Sequence, residues 1–324
     1  MPGDGLSVPG PDVISRKRVL LMSLPNNKKN ISTVLMLLQF AIFGFSFVAM
    51  EKLIGLGCGS LFIIGARFLL GAVFLVAVGL FLPRNSSFAF RPNRISVVSG
   101  LTAGSVLFAG QCFQTYACEY TSAANNALFT GMNVVFVSLL TMLIQRKPDI
   151  KVLLCTALSI VGVALVAGFS FRGFSPNFGD GLALMSGLTF GVNYMVLERL
   201  LTRKGINFCV FTVFQLALPS ALGFLGAAVF ERERFASADL RASILWLLYV
   251  GVMSSAITYL IQAFAQSHLK ATTISVLSCT EPVFAAVFSI WLGYDSLSLR
   301  LTLGFMLIIS ATLIICLVPV RKKT

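Results

Sequence analysis

The second half of this chain repeats the first half. Residues 43–53 (FGFSFVAMEKL) reappear as residues 190–200 (FGVNYMVLERL), 147 positions later. Because matched positions in one order and at nearly one spacing rarely arise by chance, the fold must be built from two related halves. Further residues correspond at an offset of 148 positions: Arg67 with Gln215, Gln114 with Gln262, Ala117 with Ala265, Ala123 with Ala271, and Val135 and Phe136 with Val283 and Phe284.

Each half contains five long apolar segments, which are candidates for membrane-spanning helices. They have the length, about 20 residues, that a helix needs to cross the hydrocarbon core of a bilayer. A composition of 57% hydrophobic and 11% charged residues excludes a soluble globular protein. An odd number of crossings in each half places the second half upside down relative to the first, which is typical of secondary transporters. The ten predicted spans are about residues 32–51, 60–82, 95–117, 121–144, 151–171, 178–198, 207–230, 242–266, 271–293 and 298–319.

The net charge of +13 has two interpretations, nucleic-acid binding and membrane topology. With the amino terminus placed in the cytoplasm, the predicted inner segments hold 18 lysines and arginines and the outer loops hold 6. Basic loops resist translocation, so this distribution predicts that both termini are cytoplasmic. We therefore attribute the charge to topology, and we expect membrane lipids rather than nucleic acid as partners.

The sequence thus predicts an all-α integral membrane protein of four segments. Residues 1–31 are expected to form a flexible basic cytoplasmic tail, residues 32–171 and 178–319 two inverted five-helix repeats, and residues 320–324 a short basic cytoplasmic tail. The seven cysteines and the single histidine lack the spacing of a metal site. The sequence has no GxxxxGK[ST] phosphate loop, which argues against an ATP-driven pump. We expect no cofactor, and coupling to a proton or another ion stays open.

Several motifs resemble the EamA-type members of the drug/metabolite transporter superfamily. The most specific is residues 281–288 (EPVFAAVF), which are similar to the ninth helix of that family. The resemblance covers about residues 32–320, and it implies ten helices in two inverted repeats with both termini in the cytoplasm. The other motifs are residues 66–72 (ARFLLGA) for the second helix, residues 121–127 (TSAANNA) with 134–137 (VVFV) for the fourth, and residues 178–184 (FGDGLAL) for the sixth.

The resemblance implies a function and also reveals one difference. EamA-type proteins move amino acids, other metabolites and drugs, so it implies a transporter of a small organic solute without naming that solute. In the fourth helix, Asn133 and Val134 stand where the family often has a proline like Pro282 of the ninth helix. Whether the first half has a helix break that matches the second half therefore stays open.

Two charged residues, Arg67 and Glu281, lie well inside the predicted spans. An intramembrane charge costs about 3 kcal/mol on insertion scales, so each of these residues needs a partner or a function. Glu281 lies near the middle of the ninth span, where it could bind a cationic group of the substrate, exchange a proton or form a buried ion pair. Arg67 could bind a substrate carboxylate, reach outward or pair with another helix, and it is the default partner for Glu281.

Polar residues inside the spans predict a central cavity. Unpaired amides and hydroxyls are costly in hydrocarbon, so these side chains should face one another or water. Matched pairs such as Gln114 with Gln262 should lie near the two-fold axis, although each residue could instead join two helices. Together with the two charged residues, the candidates for substrate binding are Ser46, Arg67, Gln114, Asn125, Asn133, Asn193, Tyr194, Tyr259, Gln262, Ser278 and Glu281.

The function that we expect is secondary active transport by alternating access, with a small-molecule solute as ligand and no enzymatic activity. The expected location is the bacterial cytoplasmic (inner) membrane, with several passes. One alternative is a passive channel, which inverted halves with broken helices disfavour. Another alternative is an intramembrane enzyme that uses Asp180 and Asp295, although both residues lie at predicted helix ends. A homo-oligomer stays open.

Overall fold

Helices account for the regular secondary structure that the structure describes. The computed structural model describes residues 11–83, 86, 88–121, 123–146, 149–169, 177–291, 293 and 297–317, and no strand occurs in these ranges. Helices are the expected result in hydrocarbon, because a helix satisfies its backbone hydrogen bonds within one segment. The predicted all-α class is confirmed.

The helices follow one another in the order that the ten predicted spans require, but three spans are divided. The fourth span contains α4 and α5, the eighth contains α10, a π-helix and α11, and the ninth contains α12 and α13. In the first half the helices are α1 (Pro11–Gly55), α2 (Ser60–Phe81), α3 (Arg94–Tyr120), α4 (Ala123–Gly131), α5 (Asn133–Gln145) and α6 (Ile150–Val166). In the second half they are α7 (Phe178–Leu201), α8 (Phe208–Phe230), α9 (Arg232–Ser237), α10 (Leu240–Leu248), the π-helix (Tyr249–Ile257), α11 (Thr258–Gln266), α12 (Ala271–Ser278), α13 (Glu281–Trp291) and α14 (Leu299–Leu317).

Among the described residues, eight helical stretches are long and apolar enough to cross a membrane. Two predicted spans are not among them. Helix α6 has 17 residues, and the remainder of its predicted span reaches residues 170–171, which lie outside the described residues. Helix α7 has 24 residues but carries Asp180 and Asn193. The multi-pass membrane architecture is confirmed, whereas the number of ten spans and the cytoplasmic position of the termini stay predictions.

Part of the segment expected to form a flexible tail is described as a helix. Helix α1 begins at Pro11, so residues 11–31 are helical in the structure and continue into the first span. Proline is favourable at the first position of a helix, and residues 12–24 contain neither glycine nor proline, although α1 then continues through Pro25. Residues 1–10 and the predicted tail at residues 320–324 lie outside the described residues.

The largest helix interfaces join the first half of the chain to the second half. Helix α2 packs along α8, α3 packs between α7 and α8, and α6 packs along α14. Helix α1 packs on α11 and α13 in the same manner. Neither half buries its apolar surface alone, so the two halves form one bundle.

Two glycines of α3 allow a close approach to α8. A Cβ atom built on Gly104 would lie 2.8 Å from the carbonyl oxygen of Gln215, and one built on Gly100 would collide with the carbonyl oxygen of Phe211. Four residues separate these glycines, and this spacing allows helix backbones to approach closely in membranes. Gly100 and Gly104 therefore serve the close packing of α3 on α8.

We predict that Gly104→Ala destabilises the bundle because the backbone of α8 cannot yield locally to the added methyl group. The expected loss is about 1–3 kcal/mol in the free energy of unfolding, as for other overpacked sites. A lower melting temperature of the purified protein in detergent would measure it. Gly181→Ala is the matched control, because a Cβ atom at this helical position has no neighbour within 4 Å. Equal melting temperatures for the two variants would contradict the prediction.

Candidate functional site

A polar cavity lies in the middle of the bundle, and both halves contribute to its wall. Its volume is about 80 Å³, which is room for several water molecules. The wall is formed by α1, α2, α3, α4, α5 and α7 together with α11 and α13, whereas α6 and α14 pack on each other and do not reach it. The predicted candidates that line it are Ser46, Arg67, Gln114, Asn133, Asn193, Tyr194, Tyr259, Gln262 and Glu281.

Two predicted candidates do not line the cavity. Ser278 lies behind the wall, where its hydroxyl donates to Oδ1 of Asn133 at 3.1 Å. Asn125 donates to Oδ1 of Asp180 at 3.3 Å. Asp180 in turn belongs to the capping box of α7, because its carboxylate accepts from the backbone N–H of Asn177. Asp295, its proposed partner in the alternative of an intramembrane enzyme, lies outside the described residues.

The cavity also includes polar residues that our sequence analysis did not single out. Gln111, Thr115 and Cys118 lie on α3 beside Gln114, and Thr130 lies near the end of α4. Residues three and four positions apart share one face of a helix, so the position of Gln114 could have indicated Gln111 and Cys118. The rings of Phe43, Phe47 and Phe190 give the same cavity apolar walls.

Glu281 lies at a break between two helices. Helix α12 ends at Ser278 and α13 begins at Glu281, which is followed by Pro282. Proline cannot donate a backbone hydrogen bond, and the hydroxyl of Thr280 satisfies the carbonyl of Leu277 at 2.7 Å. The break therefore exposes backbone groups beside a polar cavity. Membrane proteins tolerate irregular backbone in such positions, because the cavity can hold water.

The first half has a matching break although it lacks the proline. Helix α4 ends at Gly131, Met132 forms a turn, and α5 begins at Asn133. Asn133 and Glu281 are 148 positions apart, so they are equivalent residues of the two repeats. Both begin a half-helix and both line the cavity. The question that the sequence left open is thus answered by the structure.

Arg67 does not pair with Glu281, which corrects the default partner that the sequence suggested. No contact within 4.0 Å joins the two charged groups. Arg67 instead binds the π-helix, where Nε donates to the hydroxyl of Ser255 at 3.0 Å and Nη2 donates to the carbonyl oxygen and the hydroxyl of Ser254, both at 3.2 Å. The π-helix turns these groups toward α2, an arrangement that a search for charged partners cannot find.

The carboxylate of Glu281 has no hydrogen-bond or ion-pair partner among the described residues. It lies in the wall of the cavity, so it is available to a molecule inside. Glu281 is half-buried, and a carboxylate held without a partner in a wall of low dielectric constant carries a desolvation cost, which a cationic group or a proton would relieve.

Two carboxylates that we did not single out hold the start of α2 in place. Glu231 is only 5% exposed, and it accepts the backbone N–H groups of Leu61 at 2.9 Å and Phe62 at 3.0 Å. A negative charge at this position also complements the dipole of α2. Glu119 accepts the hydroxyl of Ser60 at 2.6 Å and Nη1 of Arg234 at 2.8 Å, and this hydrogen bond raises the pKa of Arg234. These contacts join α2 to α3 and α8, and they fix the helix that carries Arg67.

Apolar side chains flank the cavity on both sides along α1. Met36 and Phe40 precede the lining residues of α1, and they cluster with Ile274 of α12. Leu53 follows the lining residues and belongs to a second cluster with α2 and α8. The cavity is therefore separated from both ends of α1 by packed apolar groups.

A family model described as the EamA-like transporter family matches this chain at residues 30–168 and again at residues 177–317. The chain belongs to this family. The two matched regions cover both halves of the repeat, and they confirm the family that the motifs indicated. EamA-like proteins are transporters, so the family points to a membrane transporter rather than to an enzyme.

Similar proteins include archaeal and bacterial relatives that are described only as uncharacterized transporters. One from Archaeoglobus fulgidus is 28% identical over 253 residues, which cover 75% of this chain and 74% of the relative. One from Helicobacter pylori is 26% identical over 213 residues, which cover 64% of this chain and 70% of the relative. A protein crystal structure shares the fold, with a TM-score of 0.71 and 16% identity over 89% of this chain and 96% of that one.

We predict that Glu231→Ala destabilises the protein because two backbone N–H groups at the start of α2 lose a charged acceptor. The expected loss is about 2 kcal/mol in the free energy of unfolding. Thermal unfolding in detergent measures the effect. Glu233→Ala serves as the control, since Glu233 lies two residues away and is exposed. If both variants melted at the wild-type temperature, the role of Glu231 as a cap would be rejected.

Proposed function

We propose that this protein is a secondary active transporter that moves a small organic solute, such as an amino acid, another metabolite or a drug, across the cytoplasmic membrane. The observation that carries the proposal is the central polar cavity, which both halves line and in which the carboxylate of Glu281 has no partner among the described residues. A purely structural polar cluster would be expected to pair its charges internally. A site whose charged groups are not all paired within the protein is typical of a protein that binds and releases a ligand.

The proposed topology has ten spans in two inverted five-helix repeats, residues 32–171 and 178–319, with both termini in the cytoplasm. The bias of basic residues toward one side supports this topology. The helix breaks at Asn133 and Glu281 support it as well, because equivalent breaks near the middle of a membrane are typical of inverted-repeat transporters. We place the protein in the inner membrane of a bacterium.

Alternating access is the mechanism that the cavity favours. Apolar groups flank the cavity along α1 on both sides, so one side can open while the other stays closed. The main interfaces join the two halves, so a rocking motion of one half against the other would change the contacts of α1 and α2 with their partner helices in the second half. An open channel would instead need a continuous polar path. The coupling ion and the oligomeric state lie outside this proposal.

Solute counterflow into proteoliposomes tests the proposal. Vesicles that contain the purified protein are loaded with one unlabelled amino acid, metabolite or drug, and the entry of the same labelled compound is followed. A carrier accelerates the entry when the solute is present inside, whereas a channel does not. We expect acceleration for at least one compound of the panel, and the absence of acceleration for all of them would contradict carrier function.

We predict that Glu281→Gln abolishes counterflow, or removes its dependence on pH, while the protein still inserts and folds. Glutamine keeps the shape of the side chain and its hydrogen bonding but cannot ionise. Glu51→Gln is the matched control, because Glu51 is exposed near the end of α1. Counterflow by Glu281→Gln at the wild-type rate and with the wild-type pH dependence would rule out a transport role for this carboxylate.

A further inference from the structure

We propose that the solute is a zwitterion whose cationic group binds Glu281 and whose anionic group binds Arg67. The inference rests on the proposed function in taking the cavity as the solute site. It goes further by naming the charges that the solute must carry. Three features of the cavity lead to it: a carboxylate without a partner in the described part of the chain, a guanidinium with an unused donor there, and the lack of a contact between the two groups.

The carboxylate of Glu281 requires a cationic partner that the described protein does not supply. No described donor lies within hydrogen-bond distance of it. The proline that follows has no N–H group, so the chain offers no donor at the next position. Helix α1 passes close to this break, since a Cβ atom on Gly44 would lie 3.1 Å from the carbonyl oxygen of Glu281. The cavity is the side from which a cationic group can reach the carboxylate.

The guanidinium of Arg67 lies over the ring of Phe68, 5.1 Å from its centroid, and it retains a donor and makes no contact with a carboxylate among the described residues. Its contacts with Ser254 and Ser255 use Nε and Nη2, and both partners are neutral groups. Nη1 has no acceptor among the described residues, although guanidinium has five N–H donors in a fixed plane. Arg67 is 5% exposed, and it lines the cavity. An anionic group in the cavity would bind Nη1 and offset the charge.

The separation of the two charges determines the class of solute. Both groups line one cavity, yet no contact within 4.0 Å joins them. A solute with a single charge would bind one group and leave the other without a contacting countercharge, which is costly in a site of low dielectric constant. A zwitterion satisfies both and adds no net charge.

The two charges occupy positions that are not equivalent in the two halves, so they would fix the orientation of a bound solute. The residue equivalent to Glu281 is Asn133, and the residue equivalent to Arg67 is Gln215, so each charge has a neutral amide at the equivalent position of the other half. The charged groups therefore break the two-fold symmetry of the bundle. A zwitterion would bind in one direction only, with its cationic end toward α13 and its anionic end toward α2.

Ligand-induced thermal stabilisation of the purified wild-type protein in detergent tests the inference without requiring transport. The probes are linear ω-amino acids from glycine to 6-aminohexanoate, which carry the same two charges at increasing separation. Each has two matched analogues, the methyl ester, which keeps only the cation, and the N-acetyl derivative, which keeps only the anion. We expect at least one ω-amino acid to raise the melting temperature, and both of its analogues to bind at least tenfold more weakly.

Two variants assign the charges to their partners. Glu281→Gln should bind the ω-amino acid and its N-acetyl derivative equally, because the cationic group no longer has a partner. Arg67→Gln should likewise lose the discrimination between the ω-amino acid and its methyl ester. Each comparison is between two ligands of the same variant. A general loss of stability would therefore affect both ligands equally and could not produce the expected result. Glu51→Gln and Arg203→Gln, at exposed positions, should keep the wild-type discrimination. Arg67 also holds the π-helix, so Arg67→Gln could fail to fold. In that case the ligand discrimination of Glu281→Gln tests the inference.

The inference is overturned if no ω-amino acid stabilises the wild type, if a singly charged analogue binds as well as its parent, or if Glu281→Gln keeps the wild-type discrimination. Counterflow separates these results from a failure of the proposed function. Counterflow of singly charged solutes alone would leave the carrier function intact and reject the zwitterion. Stabilisation by a zwitterion that shows no counterflow would leave the binding site intact and reject the carrier function.

Discussion

Hydrocarbon offers no hydrogen-bond partners, and this constraint underlies the architecture of the protein. Backbone groups must be satisfied within each helix, so the described regular structure is helical throughout. The same constraint turns polar side chains toward one another and toward the central cavity. Helix breaks occur where a half-helix begins in the cavity wall, at Asn133 and at Glu281.

The two halves depend on each other for packing. Helices α2, α3 and α6 bury their main interfaces against helices of the second half. Small residues allow this approach, as Gly104 does against the backbone of α8. Near one end of the bundle, Glu231 of the second half caps α2 of the first half. The cavity wall therefore depends on contacts between residues that are far apart in sequence, and Arg67 is held in place by such contacts on both α2 and the π-helix.

The two halves share a framework, but the cavity that they line is chemically asymmetric. The repeat supplies equivalent positions at the two breaks, but one holds an amide and the other a carboxylate. Arg67 and Gln215 differ in the same way. The first half thus contributes a positively charged residue to the cavity wall, and the second half contributes a negatively charged one. The intervening aromatic residues, such as Phe43 and Phe190, add apolar surface against which the uncharged part of a solute can pack.

The sequence by itself determined the features that depend on local composition and spacing. The repeat at an offset of 147–148 positions, the long apolar segments and the motif at residues 281–288 were sufficient to predict the all-α membrane class and the family. Pro282 indicated the break in the ninth span because the loss of a backbone donor is a local property. Polar residues in the spans indicated most of the cavity wall, because their burial in hydrocarbon is costly wherever they lie.

Only the tertiary structure decided which groups meet. The ion pair expected between Arg67 and Glu281 gives way to hydrogen bonds with Ser254 and Ser255, which the π-helix brings toward α2. The break before Asn133 forms without a proline, and Glu231 reaches the start of a helix about 170 residues earlier in the chain. The physical reason is that such contacts depend on the relative positions of packed helices. The spacing of residues along a single helix contains no information about these positions.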